Sequence, residues 1–263
     1  MIRRSDLSRC KHQRLPVQLA TALVASLALC QSQAGSYEGK SVRIGKGTAH
    51  VVVRTDANDK PSAIGIVFTP GMLDGLPKAA TGAMSDFPYF LPMPGKGPKT
   101  VVDHVVINWE SVGHPPPRVY DVPHFDFHFY LVNRAAQKKV RFKNEGESGQ
   151  PPQQPPSELL PQGYAVPPGT AVTGMGVHAI NMSAGELHGQ PFTTTFIYGY
   201  YNRHQTFLEP MVALDYLLSK PSFSAAIARP SSYTKPGSYP GAYSVKYDAG
   251  RDVYEVMLEE LND

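Results

Sequence analysis

Residues 122–130 read V-P-H-F-D-F-H-F-Y. Polar and aromatic side chains alternate through this stretch, and in a strand successive side chains point to opposite faces. Phe125, Phe127, Phe129 and Leu131 therefore share one wholly apolar face, which has to be core. His124, Asp126, His128 and Tyr130 share the other. A strand facing water ordinarily carries Lys, Glu, Thr or Ser there. Two imidazoles flanking a carboxylate mark this face instead as a candidate site.

Outward from this strand the chain keeps a β texture. G-T-A-H-V-V-V-R (47–54) and S-A-I-G-I-V-F-T (62–69) read as strands joined by the polar turn T-D-A-N-D-K-P, a hairpin. V-V-D-H-V-V-I-N-W (101–109), residues 171–180 and residues 192–201 read as further strands. Y-S-V-K-Y and V-Y-E-V-M-L, joined by D-A-G-R-D, read as a closing hairpin. Residues 70–99, rich in Pro and Gly, read as irregular or as one short helix near 74–84. E-P-M-V-A-L-D-Y-L-L-S-K (209–220) is the clearest helical pattern, with Pro210 in the first turn and Met211, Leu214, Leu217 and Leu218 at helical spacing. The Pro/Gln-rich run 143–163 reads as a mobile surface loop that interrupts one domain. The expected fold is mainly β, a barrel or a sandwich, with one notable helix near 209–220.

The N-terminus carries its own signal. Arg3, Arg4, Arg9, Lys11 and Arg14 precede an apolar run from Pro16 to Cys30, and S-Q-A precedes Gly35. This order is that of a secretory signal peptide cleaved near Ala34, and the apolar run is shorter than the roughly 20 residues that span a bilayer. Lipidation at Cys30 is disfavoured because Leu29 stands where a small residue is expected, and Arg3-Arg4 lacks the aromatic that follows in twin-arginine signals. A periplasmic or secreted location is expected. Removing residues 1–34 takes away both cysteines, Cys10 and Cys30, and leaves 229 residues as a single β-rich domain, 35–263. It also takes five of the 25 Lys/Arg and one of the 22 Asp/Glu, leaving 20 against 21, so the formal +3 belongs to the leader. Thiol chemistry and nucleic-acid binding are thereby unsupported, and no further membrane-spanning run follows.

Imidazole and carboxylate suit a divalent metal such as zinc, iron or manganese. Spacing restrains this idea. Residues i and i+2 on a strand lie about 6.6 Å apart and i and i+4 about 13 Å, so His124 and His128 share an ion only by leaning inward or through a bulge. Asp126 could instead orient a ring from behind. A further ligand has to come from elsewhere, and His178 in T-G-M-G-V-H-A-I-N (173–181) is the leading candidate. Glu209 and His104 are weaker candidates, and His114, between Gly113 and three prolines, could lie at a rim. Two other readings stay open: a structural face whose groups hydrogen-bond each other at a subunit contact or in a wet barrel mouth, and a metal-free acid/base or small-ligand site. The tyrosines at 233, 239, 243, 247 and 254 edge a sheet more readily than they line a sugar site. Gly-x-Ser-x-Gly, H-E-x-x-H, phosphate-loop and dinucleotide patterns are absent, so whether the chain is an enzyme stays open.

V-Y-D-V-P-H-F-D-F-H-F-Y (119–130), D-H-V-V-I-N-W (103–109) with G-H-P-P (113–116), G-M-G-V-H (174–178), and T-F-I-Y-G-Y-Y with T-F-L-E-P-M-V (195–212) together resemble a bacterial family of unknown function. That family is typified by a Thermus protein controlled by an extracytoplasmic sigma factor and its anti-sigma factor. The resemblance runs over roughly residues 40–220. It implies a β-rich fold and a ring-like homo-oligomer, brings no established activity, and places His124, Asp126, His128 and His178 inside the matching motifs. The Pro/Gln-rich run 143–163 departs from it as an added loop. A fainter similarity to cupins rests on P-P-G-T-A-V-T-G-M-G-V-H-A-I-N (167–181), although the H-x-D-x-H spacing is not the cupin one. The expected function is metal binding through the four-residue cluster. A non-enzymatic envelope-stress or scaffold protein that self-associates through the His/Asp face is the first alternative, and a cupin-like metalloenzyme the second.

Overall fold

The structure is a computed structural model in which residues 34–79 and 86–261 are described. The expected leader therefore lies outside the described residues apart from Ala34, as do residues 80–85 of the short helix expected near 74–84; residues 74–79 are not helical. Among the described residues the strands form two antiparallel sheets. The first contains β1 (Ser36–Glu38), β2 (Val42–Ile44), β3 (Gly47–Thr55), β4 (Pro61–Phe68), β13 (Ser222–Ala226), β14 (Ala242–Asp248) and β15 (Val253–Glu259). Their order is β1-β3-β4-β15-β14-β13, with β2 also paired to β3. The second contains β5 (Asp86–Leu91), β6 (His104–Glu110), β7 (His124–Tyr130), β8 (Tyr164–Ala165), β9 (Ala171–Val172), β10 (Gly176–Asn181), β11 (Thr194–Tyr201) and β12 (His204–Ala213). Their order is β5-β6-β7-β12-β11-β10-β8, with β9 also on β10.

Neither sheet closes on itself, so the choice left open by the sequence resolves to a sandwich-like fold rather than a barrel. The core lies between the sheets. Phe125, Phe127 and Phe129 from β7 pack with Val51, Val53, Ile64, Ile66 and Phe68 from β3 and β4, and with Val245, Val256 and Leu258 from β14 and β15. The Phe68 and Phe127 rings stack across the interface at 6.2 Å. Each phenylalanine so buried stabilises the fold by about 1.5–3 kcal/mol relative to exposure. The 47–69 and C-terminal hairpins form as the sequence predicts.

Three expectations change. The 209–220 helix is mostly strand: β12 runs to Ala213, and only Leu214–Leu218 is helical. β12 lies inside the sheet and is buried on both faces, so its apolar residues do not alternate and merge with that short helix into a false helical period. Pro210 does not open a helix; it sits in a break of the β7–β12 ladder, which pairs Leu208 with Phe129 and Met211 with Asp126 but nothing between, where a residue without an N–H is tolerated. F-P-Y-F-L, placed in an irregular segment, forms most of β5 at the edge of the second sheet, a position that accepts Pro88. The run 143–163 is not a free loop. Three short 3-10 turns cross it, Leu159 is in the core, and Tyr200 donates its hydroxyl to the Leu159 carbonyl at 2.6 Å.

Candidate functional site

The second sheet has a second buried face, turned away from the sandwich core. Cross-strand register writes its rows. Asn108 stands opposite Asp126, Asp126 opposite Met211, and Met211 opposite Thr195. One step along, Val106 faces His128. A further step gives His104, Tyr130, Phe207, Gly199 and His178 in line across five strands. Tyr130, Ile180, Ile197, Phe207 and Met211 form an apolar cluster on this face, covered by Tyr120, Val119, Val132, Met175, Leu187 and Phe192 from the connecting segments. All seven residues of β7 are buried, so the polar half of H-F-D-F-H-F-Y does not face water.

The four expected site residues fall into two groups on this face. His124 and Asp126 join His114, and His128 and His178 join Glu209; within each group one ligand-type atom per residue lies within 4.8 Å of the others. The groups share a plan, with a carboxylate in the middle and an imidazole Nε2 at each oxygen. Asp126 Oδ1 is 3.1 Å from His124 and Oδ2 is 3.9 Å from His114. Glu209 Oε1 is 3.5 Å from His128 and Oε2 is 3.8 Å from His178. A single ion at all four expected residues is therefore not what the backbone provides. The i,i+4 separation on β7 keeps His124 and His128 apart, and no bulge shortens it.

Local structure aims the rings. His178 Nδ1 donates to the Thr170 carbonyl at 2.9 Å, His124 Nδ1 to the Val122 carbonyl at 2.7 Å and His114 Nδ1 to the Pro115 carbonyl at 2.8 Å. Each bond fixes the tautomer in which Nε2 keeps its lone pair and turns it toward the carboxylate. His114 is positioned by the loop G-H-P-P-P-R-V-Y, closed by its own N–H on the Tyr120 carbonyl at 3.1 Å. Gly113 opens that loop at φ +73°, with the Tyr120 carbonyl packed where a Cβ would stand. His128 is held by rings: Phe207 meets it edge-on at 4.7 Å and Tyr130 stacks on it at 5.6 Å.

The electrostatics of the two groups differ. In the inner one, burial pushes His128 down to about 3 and His178 down to about 4, and pushes the Glu209 carboxyl well up, with the Asp126 charge adding to it. Burial thus favours the neutral form of all three. In the outer one, burial opposes charge on both partners, but Asp126 raises His124, and His124 lowers Asp126 to about 2. Asn108, opposite Asp126, donates Nδ2 to Asp86 Oδ1 at 2.7 Å. Buried polar atoms ordinarily find partners. Here both ring nitrogens of His128, His124 Nε2, Asp126 Oδ1, Glu209 Oε2 and Asn108 Oδ1 have none.

The remaining candidate, His104, is satisfied elsewhere, with Nδ1 at 2.9 Å from Asp103 and Nε2 at 2.9 Å from Gln137. Glu209 and His114 complete the groups, although the sequence ranked them low. Glu209 had a readable signal, one carboxylate in the apolar run T-F-L-E-P-M-V, which the helical reading hid. The sequence offers His114 only a rim position between Gly113 and three prolines; the closure of its loop, which no pattern shows, decides which group it joins.

Comparison with known proteins bears on this geometry at one place. Residues 56–109 match the family described as TTHB210-like, Hypothetical protein TTHB210. This agrees with the resemblance to a family of unknown function typified by a Thermus protein. The TTHB210-like match covers β4 through most of β6 and includes D-H-V-V-I-N-W, but stops before His114 and before H-F-D-F-H-F-Y. No curated protein and no solved structure gives a significant match. No helix among the described residues is long and apolar enough to cross a membrane.

Proposed function

We propose that this is an exported protein that binds a divalent metal, zinc, iron or manganese, at His128, His178 and Glu209. The observation that carries the reading is the inner group itself: His128 Nε2 and Glu209 Oε2 are buried without hydrogen-bond partners, and the His178 ring is turned to the same point by its bond to Thr170. Two imidazoles and a carboxylate are a donor set for such ions. With metal–nitrogen bonds of about 2.1 Å, tetrahedral ligand atoms stand about 3.4 Å apart. One ligand atom from each of the three residues lies within 4.8 Å of the others, so the set reaches that spacing by closing shifts of no more than about 1.4 Å. Export is supported by the basic, apolar and small-residue order of residues 1–34.

The two alternatives lose support from the same geometry. A cupin-like enzyme needs the histidines inside a barrel, and this face lies on the outside of an open sheet. Self-association through the His/Asp face needs that face free, and His124 and His128 are both 0 % exposed within one chain. The ring-like homo-oligomer implied by the family would have to use another surface.

The test is elemental analysis of untagged mature protein purified from the periplasm, before and after incubation with zinc, iron and manganese. At least one equivalent per chain is expected in the wild type, with one equivalent fewer in His178→Ala and in Glu209→Gln. Wild-type protein that takes up none of the three metals, or variants that keep the wild-type content, would overturn the reading.

A further inference from the structure

We infer that the same face holds a second, separate divalent ion between His114, His124 and Asp126, more open to solvent than the first. The inference rests on the metal-binding reading above but on different residues. His124 is 0 % exposed and Asp126 is 4 % exposed. His124 Nε2 and Asp126 Oδ1 face each other at 3.1 Å off hydrogen-bond geometry, and neither has another partner. Because the His124 Nδ1–H is given to Val122, Nε2 is the ring atom turned to the carboxylate oxygen, and a cation there, a proton or a metal ion, makes the contact attractive. The third donor, His114 Nε2, arrives from the loop at 113–120, 3.9 Å from the other Asp126 oxygen, and its ring stands edge-on to His124 at 4.8 Å.

The two ions would not share ligands. Asp126 and His128 are alternate residues on one strand face, roughly 6.6 Å apart. Each carboxylate already turns one oxygen to each imidazole of its own group. Exposure separates them further. The His114 side chain is 36 % exposed, whereas His128 and Glu209 are 0 % and 1 % and His178 is 15 %. An ion at the outer group can therefore leave by displacing one loop residue, while the inner ion has to wait for the covering segments to open.

The experiment loads full mature chain with zinc, removes the excess, and measures zinc per chain and its release to EDTA in wild type, His114→Ala, Asp126→Asn and His178→Ala. His114 lies in a partly exposed loop and Asp126→Asn preserves shape, so a folded outer-site variant is available; circular dichroism confirms it. The expected contents are two, one, one and one. Wild type should release in two phases of equal amplitude, with the fast one missing from His114→Ala. A wild-type content of one, kept by His114→Ala and lost by His178→Ala, would overturn the second ion and leave the first standing. Loss of both equivalents in any single variant would mean one shared centre and would also overturn it. Absence of zinc from the wild type would remove both readings. A proton on His124, rather than an ion, would show as the first of these outcomes.

Discussion

Gly199 and Phe207 are partners in the β11–β12 ladder, and the Phe207 ring lies where a side chain at position 199 would stand. The ring meets His128 edge-on at 4.7 Å and tilts against His178 at 5.1 Å. A bare backbone at 199 thus sets the spacing of two imidazoles that come from strands three apart. Gly199→Ala would force the ring outward, an overpacking that costs about 1–3 kcal/mol. The expected outcome is a lower melting temperature and loss of zinc from the inner group, with the outer equivalent retained. Unchanged zinc content would show that the Phe207 ring does not space the imidazoles.

Zinc should stabilise the fold as well as bind to it. A ligand at 100 times its Kd adds about 2.7 kcal/mol to a folded state that alone binds it. For a domain of this size that corresponds to a rise of roughly 5–10 °C in melting temperature. Differential scanning calorimetry should find this rise in the wild type and a smaller one in Glu209→Gln. An equal rise in both would place the stabilising ion elsewhere.

A pH effect is expected on the opposite sheet. Glu255 is buried, which alone would raise its carboxyl, but bonds from Arg54, at 2.6 Å, and from Arg251 outweigh burial and lower it. A carboxyl lowered on folding contributes stability that is present above its unfolded value, near 4.3, and is lost as pH falls through the lower folded value. Glu255→Gln should therefore be less stable than wild type at neutral pH by up to about 1 kcal/mol. The gap should close below pH 4. Urea unfolding at a series of pH values checks this; a gap that widens in acid would contradict it.

Leu159 fastens the Pro/Gln-rich segment. It is 7 % exposed and its carbonyl receives the Tyr200 hydroxyl. Leu159→Ala should cost about 2–5 kcal/mol. Limited proteolysis should then cut first between 143 and 163, a stretch expected to resist in the wild type. Equal resistance in the two proteins would show that the segment is held by its other bonds, such as Gln153 to Asn202 at 2.8 Å.

How much of this was legible in the sequence depended on local signals. Strict alternation in H-F-D-F-H-F-Y shows both the strand and its core face, because period two survives whatever the strand packs against. β12 has no alternation to read, since both its faces are buried, and there Pro210 misleads. Burial of the polar side was not legible either: the Leu187 and Phe192 cover comes from segments that no pattern ties to β7. The division into two groups follows from the i,i+4 spacing on β7 once Glu209 and His114 are in place. For His114 the sequence offers a rim position but not the group it joins.

β15 joins the two halves of its sheet, pairing Tyr254–Glu259 with Ala63–Phe68 on one side and with β14 on the other. All of the other sheet, residues 86–213, is synthesised between those halves. On the ribosome the hairpin at 47–68 must therefore wait for almost the entire chain before its far edge is covered, and the Phe125–Phe127–Phe129 face waits with it. Pairings over such sequence distances make folding slow, on the millisecond-to-second scale. A chain interrupted between β14 and Val253 would present two unjoined fragments of the first sheet and a bare aromatic surface, the kind of intermediate that aggregates or occupies chaperones.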